Sequence, residues 1–161
     1  MKKKLTAKAQ NGSWSPRSFL NYLSLKLRIK KNEGFSNHPY KDQLGNYTIG
    51  YGHLIRKNEI NLFKKKLKVS FFQDLFENDF KLALEDYKKH FNKYSFSQNI
   101  KELIIEMIFQ IGIQNVLSFK KTLKHIKKNN KFLAALEMMN SIWYKQTPIR
   151  VENLIKNYLK Q

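Results

Sequence analysis

Cysteine is absent from the 161 residues, so the fold must close by packing and polar contacts, with no disulfide and no thiol chemistry. Acidic residues are scarce. Twelve Asp and Glu face 31 Lys and Arg, a net charge of +19. Such a chain seeks polyanions, and nucleic acid, an anionic envelope and acidic lipid all qualify. No run of eighteen apolar residues occurs, so no membrane span is expected. Metal-ligand spacing, a phosphate-cradling glycine loop, a nucleophile elbow and internal repeats are missing too, and no cofactor is called for. Met1-Lys2-Lys3-Lys4 has the charge of a signal n-region, but Leu5 to Asn11 is too short and polar to continue it. Export is therefore expected to take another route.

Glycine is sparse as well, yet four of the six fall between Gly34 and Gly52, where tight turns and close backbone approach are one physical reason. That stretch opens with Glu33-Gly34, reaches Asp42 nine residues later, and runs from Thr48 into Ile49-Gly50-Tyr51-Gly52-His53. Two carboxylates and a hydroxyl spaced by turn residues are equipment for splitting a glycosidic bond, with an acid on one side and a held water on the other.

The stretch resembles the catalytic hairpin of the phage-type lysozymes, the muramidase family that includes the T-even phage enzyme. The pattern E-G, Y-x-D, G-x-x-T-I-G-x-G-H is met at Glu33, Gly34, Tyr40, Asp42, Gly45, Thr48, Ile49, Gly50, Gly52 and His53. Two distant segments add to it. Met107-Ile108-Phe109-Gln110-Ile111-Gly112 resembles the family's apolar helix ending in F-Q-x-G, and Trp143 to Arg150 resembles its W-Y-x-Q-T-P-x-R. The resemblance runs from about Leu23 to the C-terminus.

It implies an α+β, lysozyme-like fold: a small N-terminal lobe (about 15–69) with a short antiparallel sheet, a long connecting helix (about 70–91), and a helical C-terminal lobe (about 92–161). Residues 1–14 read as a basic arm, with Ser15-Pro16 as helix start. The first helix is expected to stop at Gly34. Ser70 and Gln73 could form a capping box for the connecting helix. That helix carries one apolar stripe of Phe72, Phe76, Phe80, Ala83 and Tyr87 and a second of Phe71, Leu75 and Leu82. Burial on both sides is expected of it. Gly112 is expected to end the next helix.

The implied roles follow residue by residue. Glu33 is the general acid, and partial burial would keep its proton near neutral pH. Asp42 is the base and Thr48 helps to hold the attacking water. Inversion implies a carboxylate separation of about 6.5–9.5 Å. The plain alternatives are a solvated helix-terminal glutamate, a turn aspartate bonding its own backbone, and a strand threonine. Arg150 is expected to reach Glu33 from the opposite lobe, in a positioning role with Gln110. Leu54, Phe109 and Thr122 fall at sugar-contacting positions. Glu137 stands where the T-even enzyme has an asparagine, and Lys131 where it has a tryptophan. His53 and Asp79 take the positions of a structural ion pair.

The expected function is hydrolysis of the β-1,4 bond between N-acetylmuramic acid and N-acetylglucosamine, as a phage endolysin. Such an endolysin is made in the host cytoplasm and acts outside the inner membrane, released through a holin or similar. The partner is the peptidoglycan glycan strand, and a monomer is expected. Nucleic acid is not, because most aromatics sit at core spacing rather than interleaved with lysines on an open face. The alternatives are a catalytically silent wall-binding module and a bacterial effector toxin of the same fold.

Overall fold

A computed structural model describes residues 22–42, 45–63 and 67–160. The expected basic arm and the Ser15-Pro16 helix start lie outside the described residues. Helix α1 spans Leu23–Glu33, and Gly34, at φ +72°, stops it. Three antiparallel strands follow, β1 (Ser36–Lys41), β2 (Tyr47–Gly50) and β3 (His53–Leu54), in the order β1-β2-β3. The register pairs Tyr40 with Thr48 and Ile49 with His53, with a bulge in β1 between Ser36 and Tyr40. A 3-10 turn, Lys57–Phe63, leads toward helix α2 (Val69–Phe91). At 23 residues α2 is about 35 Å long. The rest is helical: α3 (Gln98–Ser118), α4 (Lys120–Lys127), α5 (Lys131–Met139), α6 (Ile142–Gln146) and α7 (Pro148–Leu159).

One large apolar cluster joins these helices. It takes Phe76, Phe80, Leu84 and Phe91 from α2, Leu103 to Ile105 and Met107 from α3, Trp143 from α6, and Val151, Leu154 and Tyr158 from α7. Leu25 and Ile29 of α1 belong to the same cluster. Helix α1 is therefore rooted in the helical body, not in the sheet it precedes. The sheet has a smaller core of its own, where Ile49 and Phe72 are buried and Phe35 stacks edge-on against Phe72 at 5.3 Å. Lys30 links the two bodies. Its ammonium lies 4.5 Å from the Phe76 ring centre and 5.1 Å from that of Tyr51.

Three local expectations are corrected. The capping box at Ser70 does not form, because α2 already begins at Val69 with Lys68 as its extended N-cap residue and no side-chain cap bond. The second stripe of α2 is not enclosed: Phe71 and Leu75 are half-buried and Leu82 is 48% exposed. Periodicity marks a face as apolar but does not say whether anything covers it. Gly112, at φ +76°, breaks α3 without ending it, and the chain resumes helix to Ser118.

Candidate active site

Glu33 occupies the last turn of α1, with Gly34 immediately behind it. Its surroundings come from elements far apart in sequence. Ile29 and Asn32 of α1, Glu106, Phe109 and Gln110 of α3, and Arg150 of α7 enclose it in a tight niche. Arg150 Nη1 donates to Glu33 Oε1 at 2.9 Å, and both side chains are largely buried. Since α1 and α7 share one core, the pair lies within the helical body. The expectation that Arg150 reaches across from an opposite lobe is corrected on that ground.

Burial is the largest influence on the Glu33 carboxyl and pushes its pKa up. The Arg150 charge and hydrogen bond pull it down, and the nearby Glu106 charge pushes it up again. The net direction is upward. The cation therefore does not reverse the upward shift that desolvation sets.

Gly52 closes the other side. At φ +79° it adopts a backbone that side chains rarely take, and a Cβ there would stand 2.9 Å from Glu33 Oε2. Gly50, at φ +66°, is similarly tight, with Phe72 Cδ1 at 3.1 Å from an added Cβ. The β2–β3 turn therefore needs glycine to bring the hairpin against the carboxyl.

Asp42 sits at the turn of the β1–β2 hairpin in a different setting. Its Oδ1 accepts from the Asn46 backbone N–H at 2.8 Å, and its Oδ2 accepts from the Asn46 amide at 3.2 Å. The turn is closed further by Asp42 N–H to Asn46 O at 2.9 Å and Gly45 N–H to Asp42 O at 3.0 Å. Thr48 is buried at 5% exposure, and its hydroxyl donates to Tyr40 O at 3.4 Å across the hairpin. The aspartate thus serves as turn former and offers carboxylate oxygens at the hairpin tip.

His53 lies at the base of the hairpin. Its Nδ1 is 2.8 Å from Asp79 Oδ2 on α2 and its Nε2 is 3.2 Å from Glu59 Oε2 in the 3-10 turn. Burial pulls the imidazole pKa down, but bonds and charges from Asp79 and Glu59 outweigh it and the net shift is upward. For Glu59, burial pushes up while the Arg56 N–H and His53 pull further down, so its pKa is lowered. The histidine ties strand, 3-10 turn and long helix together.

The remaining expected contacts distribute unevenly. Phe109 and Gln110 line the Glu33 niche, and Gln110 Nε2 donates to Thr147 Oγ1 at 3.2 Å. Leu54 is 51% exposed in a groove of about 700 Å³ that also takes in Asn46, Tyr47 and Ile60. Thr122 is only 2% exposed. It lies at the inner edge of a separate pocket of about 650 Å³, with Glu137 and Trp143.

Sequence reasoning missed the polar frame behind Glu33. Glu106, 3% exposed within the most apolar stretch of α3, accepts from Arg28 Nε at 2.8 Å and from Asn32 Nδ2 at 3.0 Å. Arg28 also reaches Glu102 at 3.3 Å. Asn32 adjoins Glu33, so the frame locks the last turn of α1 against α3. A lone glutamate among Leu103 to Ile108 was the available signal, since a charge at core spacing requires a partner.

Comparison with known proteins meets this geometry directly. The phage lysozyme family matches residues 30–157, from the turn bearing Glu33 through most of α7. The chain belongs to the phage lysozyme family. A probable T4-type lysozyme of Dictyostelium discoideum is 36% identical over 155 residues, covering 82% of this chain and 91% of that protein. A second probable T4-type lysozyme of the same organism matches to the same extent. A peptidoglycan hydrolase of Pseudomonas phage phiKMV is 30% identical over 125 residues, 77% of this chain but 14% of that longer protein. This lysozyme is accordingly a glycoside hydrolase with an α+β fold. It is mostly helical, with one small sheet.

Proposed function

We propose that this lysozyme hydrolyses the β-1,4 bond between N-acetylmuramic acid and N-acetylglucosamine in peptidoglycan, with inversion, and serves as an endolysin. The observation that carries the reading is the Glu33 niche: a carboxyl whose burial raises its pKa even though it is hydrogen-bonded to the Arg150 cation. Glu33 protonates the glycosidic oxygen as the bond to the anomeric carbon breaks. Asp42 and Thr48 hold a water on the opposite face of the ring. The water attacks the anomeric carbon and gives its proton to Asp42. Arg150 then stabilises the Glu33 carboxylate left by proton donation, and solvent exchange resets both groups.

Under this reading the enzyme is made in a host cytoplasm and reaches the wall through a holin or similar pore. The net charge of +19 favours encounter with an anionic envelope. Digestion of purified peptidoglycan followed by product analysis is the test. New muramic reducing ends of inverted anomeric configuration are expected from the parent enzyme, and almost none from Glu33→Gln. Retained configuration, or reducing ends on N-acetylglucosamine, would overturn the mechanism or the bond.

A further inference from the structure

Helix α5 is apolar around almost its whole circumference. Its inner face, Ala134, Ala135 and Met138, is buried in the helical core at 0, 4 and 0% exposure. A surface helix should then be polar outside. Instead Phe132 is 68% exposed, Leu136 45%, Met139 43% and Leu133 39%. At 100° per residue these four fall within one outward arc of about 120°, and only Lys131 and Glu137 are charged on this helix. Ile142, 74% exposed, follows at the start of α6.

The charge of the segments that flank this stripe in sequence is almost all of one sign. Residues 119–146 hold seven lysines (120, 121, 124, 127, 128, 131 and 145) and one acid, Glu137. Helix α4 is strongly amphipathic: Thr122, Leu123 and Ile126 are buried, while Lys120, Lys121, Lys124 and Lys127 are exposed. A second copy of the chain is disfavoured as occupant, because two faces of like charge on bodies of +19 repel. Anionic wall polymers would satisfy the lysines and leave the apolar stripe in water. An anionic phospholipid surface satisfies both, with headgroups for lysines and acyl chains for Phe132, Leu136 and Met139.

We propose that the outward face of α5, continued by Ile142, docks on an anionic phospholipid surface, with the lysines of α4 meeting the headgroups. Co-sedimentation of the full chain with vesicles tests this, comparing phosphatidylcholine alone with phosphatidylcholine containing about one third phosphatidylglycerol. Binding at least ~10-fold tighter to the anionic vesicles is expected, weakening as salt rises. Phe132→Ser/Leu136→Ser keeps the net charge and should lose at least ~10-fold of that binding. Its wall cleavage and thermal midpoint should match the parent. Phe132→Gln alone, at a position mostly in water, gives the same reading should the double variant fail to fold. Unchanged vesicle binding in these variants would mean that charge alone attracts the protein and would overturn the proposal. So would equal binding to neutral vesicles, or a dimer in sedimentation that the substitutions dissolve.

Discussion

Glu33 and Asp42 are nine residues apart in sequence and belong to different bodies of the molecule. Glu33 rides on α1, whose Leu25 and Ile29 are sunk in the helical core, and α3, α7 and the β2–β3 turn press on it or its neighbours. Asp42 rides on a hairpin tip whose bonds are made within five residues. One carboxyl has its proton affinity set by long-range burial. The other has its orientation set by a local turn. The difference teaches that the two carboxyls, proposed as acid and base, are prepared by different physics, and that each should respond to different damage.

Removing the acid breaks the comparison outright. Glu33→Gln is expected to lose at least ~10²-fold in rate. Its stability should move the other way. A carboxyl whose folded pKa is raised costs stability as pH climbs from its unfolded value of 4.5 through the folded one. The neutral variant should thus melt at or above the parent at pH 7. A variant that was both inactive and less stable by calorimetry would show that the carboxylate is a structural tie.

Gly52→Ala attacks the niche from the hairpin side. The Cβ must displace the Glu33 carboxyl or push the turn away, in a backbone conformation that alanine resists. Steady-state kinetics should show a loss approaching ~10²-fold, in kcat more than in KM, since a misplacement near 1 Å carries that weight. Parent-like kcat would mean that the hairpin contact is passive.

Glu106→Gln sharpens the account of the acid. The substitution removes a charge that raises the Glu33 pKa, so the alkaline limb of the pH–rate profile should move to lower pH. Arg28 also loses the nearer of its charged partners, Glu106 and Glu102, at about 1–3 kcal/mol. An unmoved alkaline limb would contradict the electrostatic part.

Asp79→Asn tests how firmly the hairpin is pinned to α2. His53 has a raised folded pKa, so its contribution is full below its unfolded value of 6.5 and fades as pH rises through the folded one. Glu59, lowered, contributes above its unfolded 4.5 and fades as pH falls through the folded one. Both are fully present between about pH 4.5 and 6.5. The variant should lose about 2 kcal/mol within that window and less above it. Denaturant melts across pH would decide, and a loss independent of pH would exclude the ion pair as cause.

Asn46→Ala touches only the tip. It removes the bond from the Asn46 side-chain amide to Asp42 Oδ2, at an exposed site, and about 0.5–1.5 kcal/mol or less is expected with little change in rate. A tenfold fall in kcat with an intact melting curve would show that the Asn46 amide orients the base.

What was legible in the sequence follows the same divide. Gly34 as helix stop, the hairpin turn with Asp42, and the glycines before His53 are local chemistry, and spacing alone displays them. The family pattern then carried Arg150 and Gln110, which spacing could not. The Arg28–Glu106–Asn32 frame escaped notice because Glu106 lies 78 and 74 residues from Arg28 and Asn32 and no short motif joins them. Ser70 and Gln73 have the right letters for a cap, but Val69 enters the helix one residue earlier. Leu82, Phe132 and Leu136 show the limit of periodicity, which ranks faces by polarity and says nothing of what lies against them.

The hydrogen bond between Glu33 and Arg150 spans 117 residues of chain. The chain must therefore be made as far as α7 before the niche can close. Any product that stops short of α7 lacks the arginine and also the core residues Val151, Leu154, Ile155 and Tyr158 that seat it. Under the proposed roles a chain that stops before α7 is inert, and activity waits on that helix.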